Sequence, residues 1–370
     1  MKPKFNRLFL IITFISSFVV AQKKQFKIHT IAFYNTENLF DTINDSGYGD
    51  DEFLPKGSYA WTGEKYRTKL GNIAKVLSEI GTTENTEAPT IIGLAELENR
   101  RVLEDLLKQP ALIEKGYAII HFDSRDSRGT DVGFLYRKAA FRPVSYKNVP
   151  LIIRDSLPAE AQKPVRGKKK PVPPLFTRDQ LLVTGVLEGE EIHFIVNHWP
   201  SRYGGEKKSS PLREAAAALN RKIIDSLTRI NPNAKIVTMG DFNDGPYNNS
   251  IAKVLKGKRF KDDLKPGELF NPMDALSRDG KGTVAYRDAW DLFDQILISQ
   301  PLISKDYSSF IYWKAGIFDA DYLRQPTGKY RGYPLRNRDG EAGFSDHFPV
   351  YVYLIKEIKA VPQPFKKEKE

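Results

Sequence analysis

Short apolar runs punctuate this chain, set apart by polar turns and by stretches with a helical repeat. Phe26 to Phe33, Thr90 to Leu94, Tyr117 to Phe122 and Val132 to Tyr136 read as strands. Runs of roughly four to eight apolar residues bounded by turn formers suit a buried extended chain. Leu181 to Leu187 and Ile192 to Val196 read as a hairpin around Glu188-Gly189-Glu190-Glu191. Ala234 to Met239, Phe293 to Ser299 and Val350 to Leu354 read as later strands. Glu64 to Ile80 predicts a helix with Leu70, Ile73, Leu77 and Ile80 on one face, and Glu98 to Leu107 predicts a second. A third is expected to start at Ser210-Pro211, a cap residue followed by proline at the first helical position. Its buried stripe is Leu212, Ala216, Leu219, Ile223, Leu227 and Ile230. Strands alternating with helices, broken by hairpins, predict a mixed-sheet α/β domain with helices covering the sheets.

Three segments lack a period: Asp41 to Trp61, Pro158 to Pro174 with its Lys168-Lys169-Lys170 run, and the aromatic, basic Ser304 to Gly343. No repeat or linker divides the chain, so residues 22–360 read as one domain and residues 361–370 as a frayed tail.

Composition adds a compartment. Lys2, Lys4 and Arg7 precede the apolar stretch Leu8 to Val20, and Ala21 offers a small residue for cleavage. Residues 1–21 therefore read as an export signal, too short to span a bilayer, which needs about 20 apolar residues. The sequence has no cysteine, which excludes disulfides and a lipid-modified cysteine. The formal charge of +11 favours polyanions or anionic membranes as partners.

The chemistry sits where the apolar runs end. Asn35, Glu96, His198, Asp241 with Asn243, Asp294, and Asp346 with His347 each follow or border a predicted strand. Gly240 is expected to break its strand and present Asp241 and Asn243 at the strand's C-terminal end. In open α/β sheets that is where polar groups converge on a ligand. A carboxylate and a carboxamide two residues apart suit a hydrated metal and an attacking water.

The motifs stand as FYNTENLFD (33–41), GLAELEN (93–99), RGTDVGFLYR (128–137), VNHWPSR (196–202), GDFND (240–244), FDQILIS (293–299) and FSDHFPV (344–350). As a set they resemble the endonuclease/exonuclease/phosphatase superfamily, over roughly Phe26 to Leu354. The resemblance implies two packed mixed β-sheets flanked by helices, a four-layer α/β sandwich. It implies Mg²⁺, with Mn²⁺ or Ca²⁺ as other oxygen-seeking ions, held by Asn35, Glu96 and Asp346. Glu98 is the alternative to Glu96. Ala95 stands where the family usually has glutamine, which removes a supporting hydrogen bond but no ligand. The implied catalytic residues are His198, Asp241, Asn243, Asp294 and His347. Asp294 would orient His347, Asn243 and His198 would stabilise the phosphoryl group, and either Asp241 or His347 would take the proton from water. Arg128, Arg202, Arg213, Tyr330 and Arg331 are candidates for contacting substrate. His29, His121 and His193 match no family position and are expected to be structural.

The resulting expectation is an exported metal-dependent phosphodiesterase, an endonuclease acting on DNA or RNA. The alternative is a phosphoesterase of lipids or small molecules on the same scaffold, with Phe270 to Leu276 and Ile311 to Phe318 as candidate membrane loops. An inactive polyanion-binding protein is a third reading. No stable protein partner is implied.

Overall fold

The computed structural model describes residues 24–153, 175–338 and 341–358. The expected export signal, the expected tail and all of Pro158 to Pro174 lie outside the described residues. Strands β1 (Phe26–Leu39), β2 (Ile91–Leu97), β3 (Tyr117–His121), β4 (Asp131–Arg137), β5 (Phe141–Val149), β6 (Gln180–Leu187), β7 (Glu190–His198) and β8 (Ile236–Asp241) are followed by shorter ones. These are β9 (Gly257–Lys258), β10 (Leu269–Phe270), β11 (Val284–Tyr286) and β12 (Ala289–Asp291). β13 (Asp294–Ser299), β14 (Ile311–Ile317) and β15 (Val350–Glu357) complete the set. The helices are α1 (Gly63–Glu79), α2 (Arg100–Leu107), α3 (Glu206–Ile230) and α4 (Met273–Arg278).

The strands form a six-stranded sheet, ordered β14-β15-β1-β2-β4-β3, and a seven-stranded sheet, ordered β5-β6-β7-β8-β13-β10-β9. β11 and β12 form a separate ribbon. Side chains that alternate along each strand build the layers. In β1, Ile31 and Phe33 enter the core between the sheets, while Ala32 and Tyr34 pack with α1 and α2 residues. In β7, Phe194 and Val196 join the inter-sheet core, while Ile195 joins the core under α3. Strands buried on both faces read as continuous apolar runs, which is why the central ones were legible. This is the four-layer α/β sandwich.

Several expectations change. Gly240 does not break β8; it pairs with Asn197 and Gln295 inside the sheet. A Cβ there would stand 2.3 Å from Asn197 O, so the glycine is required by close strand approach. The third helix begins at Glu206, and Pro211 lies inside it. Side chains hold its first turn: Ser209 Oγ donates to Gly205 O, and Arg213 donates to Glu206 O and Ser201 O. The hairpin turn is Glu188-Gly189 alone, with φ of 43° and 89°, the left-handed pair that suits the twist of a tight hairpin. The stretch Ser304 to Gly343 contains a sheet strand, β14, and β5 also had no forecast.

Candidate functional site

Bulges on adjacent strands begin the site. The β1–β2 register slips between Asn35 and Leu39, and the β2–β4 register slips between Ala95 and Leu97. Glu37, Asn38 and Glu96 all take positive φ, 49°, 53° and 60°. Such strain in non-glycine residues concentrates at functional sites, and a bulge re-aims a side chain. Here the result is a half-open carboxylate. Asn38 N donates to Glu96 Oε2 at 3.0 Å, and Glu96 Oε1 faces His198 Nε2 at 3.7 Å.

The other sheet supplies the opposite wall. β7 ends at His198 and β8 at Asp241, which are paired in register, and Asp294 opens β13 directly opposite Asp241. Asp241 Oδ1 accepts from Asn243 N at 2.9 Å, and Oδ2 accepts from Asn35 Nδ2 at 3.1 Å across the gap between sheets. His198 Nε2 stands 3.6 Å from Asp241 Oδ2. The segment before β15 closes the site. His347 N donates to Ser345 Oγ, and His347 Nδ1 bonds Asp294 Oδ2 at 2.7 Å. His347 Nε2 then faces Asp346 Oδ1 at 3.8 Å and Asp241 Oδ2 at 3.9 Å.

The expected catalytic and metal residues thus meet at one end of the sandwich. Asn35 faces Asp241 with its amide nitrogen, while its oxygen accepts from Glu37 N at 3.0 Å. Asn243 takes φ of 51° and donates to Trp199 O at 3.0 Å. Asp346 is part-exposed, 3.7 Å from Arg336. Glu98 turns away: its carboxylate accepts from Asp41 N at 2.6 Å.

Burial sets the electrostatics. It pushes His198 well below 6.5, and the nearby charges of Arg178, Arg128 and His347 push the same way, so the ring is neutral. Burial also pushes Asp241 up to about 7; Asp294 and Glu96 add to the rise and His347 opposes it. For His347, burial acts downward but is outweighed by Asp294, Asp241 and Asp346, which hold the ring cationic well above 6.5. Three carboxylates, Asp241, Asp294 and Asp346, therefore surround one cationic ring, and Glu96 adds a fourth beside His198. Among the described residues, buried Asp294 Oδ1 and His198 Nδ1 have no hydrogen-bond partner. An oxygen-rich, charge-excess pocket of this kind fits a hard divalent cation.

The arginines separate. Arg213 is a correction: it is fully buried, paired with Asp244 Oδ1 at 2.7 Å, and cannot reach a substrate. Arg202 braces the Asp241–Asp244 loop, with Nε donating to Asn243 O at 3.0 Å and its guanidinium over the Phe293 ring. Arg128 is half-exposed beside Asp126. Tyr330 lines a cleft next to Asp346, whereas exposed Arg331 is not among that cleft's lining residues.

Two features had no forecast. Arg178 is buried, donating to Asp126 at 3.0 Å and to Trp199 O at 2.9 Å, and its charge bears on His198. Glu37 is buried beside Lys69 at 3.9 Å and accepts from Asn337 N and Arg336, tying Arg336 and Asn337 to β1. It lies in the β1 bulge at φ of 49°, so strand alternation could not place it. His29 and His193 bond Thr90 and Thr184 along the strands. His121 lies 3.3 Å from Asp131, whose carboxylate accepts from Ser124 N and steadies the loop after β3.

Glu98 offers a test of burial. Desolvation chiefly, with Asp41, Asp45 and Asp50, raises it to about 8. A carboxyl raised in the fold contributes full stability below its unfolded value of about 4.5 and loses it as pH rises through 8. Glu98→Gln keeps the acceptor for Asp41 N and should raise the melting temperature at pH 8 while changing it little at pH 5. Equal shifts at both pH values would exclude this origin.

Two packed mixed sheets with carboxylates and histidines gathered at one end have the build of a phosphoester hydrolase. The sequence matches the model of the Endonuclease/Exonuclease/phosphatase family over residues 30–356. The chain belongs to that family, whose enzymes use divalent metals. No curated protein matches it. Among solved structures it resembles an endonuclease/exonuclease/phosphatase family protein from Bacteroides thetaiotaomicron, at 21% identity and a TM-score of 0.50, covering 90% of this chain and 97% of that one. It also resembles truncated Caenorhabditis elegans TDP2, at 15% identity and a TM-score of 0.51, covering 88% and 97%. A D. rerio TDP2 humanized by 14 mutations gives 13% identity and a TM-score of 0.50, covering 88% and 98%.

Proposed function

We propose that this chain is an exported, divalent-metal-dependent phosphodiesterase that cuts nucleic acid internally by in-line attack of water. The observation that carries the reading is the Asp294–His347 pair at 2.7 Å, aimed at Asp241 from the opposite side of the site. Glu96, Asp346 and the oxygen of Asn35 are the residues that would hold the cation. When bound, it supplies charge neutralisation at the phosphate and at the leaving oxygen.

The residues divide the remaining work. Asp241, pushed up to about 7, has the affinity to take a proton from water near neutral pH. Asn35 and Asn243 N hold its two oxygens in place. His347 has Nδ1 committed to Asp294, so its cationic Nε2 is free to bind a phosphoryl oxygen as negative charge grows there. His198, neutral and buried, offers Nε2 to the same oxygens and adds no charge that would trap the product.

A lipid substrate is less well supported. Phe270 and Met273 are buried in the inter-sheet core, and β14 is part of a sheet, so neither candidate loop is free to enter a membrane. A D. rerio TDP2 has been solved with a single-strand DNA product, which keeps nucleic acid in view as substrate. Purified chain lacking residues 1–21 should nick supercoiled plasmid with Mg²⁺ and stop on chelation. Absence of nicking with Mg²⁺, Mn²⁺ and Ca²⁺, alongside turnover of a small phosphomonoester, would replace this reading with a small-molecule phosphatase.

A further inference from the structure

A cleft of about 710 Å³ opens beside the catalytic end, between the β11–β12 ribbon and residues 325–338. Asp346 and Arg336 belong to both the cleft and the site, so the two are continuous. The volume falls within the roughly 300–1,000 Å³ typical of small-ligand pockets.

Its walls are fixed to the reacting groups. The ribbon turns at Arg287 and Asp288, both with positive φ, 50° and 62°. Asp288 accepts from Tyr333 OH at 2.7 Å and donates its backbone N–H back to the same oxygen, tying the ribbon to the facing segment. Trp290 stacks on Phe348, one residue beyond His347, with rings 16° apart. At the ribbon's base, Thr283 O accepts from Phe348 N, and Thr283 Oγ1 accepts from Asp294 N. The cleft and the His347–Asp294 pair thus share one frame.

The lining brings tyrosines and cations together. Tyr286 and Tyr330 are 64% and 46% exposed, large values for aromatic rings in a cleft with no apolar lid described. Arg287 lies over Tyr286, and Lys329 and Arg338 lie over Tyr330, at 5.1, 5.5 and 6.0 Å. Exposed rings beside cations recognise a flat π-face joined to phosphate.

We propose that this cleft binds a nucleotide unit attached to the scissile phosphate, with its base on Tyr330 and its outer phosphate on Arg338. The substrate class is then single-stranded nucleic acid, including the transiently unpaired stretches of a negatively supercoiled plasmid, because bases paired inside a duplex cannot offer a face to a tyrosine. The inference rests on the phosphodiesterase reading for the identity of the attached phosphate.

The test is binding of fluorescein-labelled decathymidylate, followed by anisotropy in EDTA so that no turnover intervenes. Tyr330→Ala should weaken binding at least about fivefold, as expected for loss of one stacked base, and Tyr330→Phe should restore it. Arg338→Ala should weaken binding and lower the salt slope by about one. Equal affinity of wild type, Tyr330→Ala and Arg338→Ala would overturn the proposal. So would an abasic decamer binding as tightly as decathymidylate, or a duplex binding more tightly than either. Failure to nick plasmid with Tyr330-dependent binding intact would remove the catalytic reading and leave the cleft as a single-strand site. Nicking with binding unaffected in both alanine variants would remove the cleft alone.

Discussion

His347→Gln is expected to lower the rate of plasmid nicking about 10²- to 10⁴-fold, the range for loss of a positioned acid–base group. Glutamine has nearly the reach of histidine, and its amide can still donate to Asp294, which is fully buried. An unpaired buried carboxylate would be costly, so this variant separates chemistry from folding better than alanine does. What is lost is the cationic Nε2 facing Asp241 and Asp346. The measurement is kcat at saturating metal with a melting curve beside it. Asp294→Asn should lose less, because the ring remains in place with a poorer partner. A kcat for His347→Gln within twofold of wild type would take His347 out of the reaction.

Glu96→Gln is expected to raise the Mg²⁺ concentration needed for half-maximal nicking by at least about tenfold and to lower the maximal rate. Hard cations bind carboxylate far better than carboxamide oxygen. The substitution keeps an oxygen for Asn38 N, so the bulge at φ of 60° should survive. Calorimetric titration with Mg²⁺ in the absence of substrate gives an independent readout. Metal curves that superimpose on wild type in both assays would remove Glu96 from the ligand set and leave Asp346 as its carboxylate.

The site was legible because its residues terminate or border buried strands, and such strands announce themselves as apolar runs. His198, Asp241 and Asp294 could each be placed by locating the run beside them. The edges were not legible. β5 is mostly exposed, with Pro143 inside it, and β14 is only partly buried, so neither shows a continuous run. Side-chain pairings across long sequence separations were equally hidden. Arg213 looked like a free cation because Asp244, which neutralises it, lies beyond the end of another strand. Arg178 went unremarked for the same reason, since Asp126 and the Trp199 carbonyl approach it from different segments. The cleft joins the ribbon residues 284–288 to residues 325–338, two stretches far apart in sequence, and neither announces the other.

Two hydrogen bonds described above, Asn35 to Asp241 and His347 to Asp294, run from groups on or beside one sheet to groups on the other. Reaction geometry in this molecule is therefore a function of how far apart its sheets lie. That distance is set by Phe134, Phe194 and Met239, which fill the layer between them and are fully buried. These side chains are spacers for a reaction they never touch. Evolution can adjust the rate by changing a methyl group in the interior, and a chain whose sheets slip by a fraction of an ångström would keep its fold while losing its alignment.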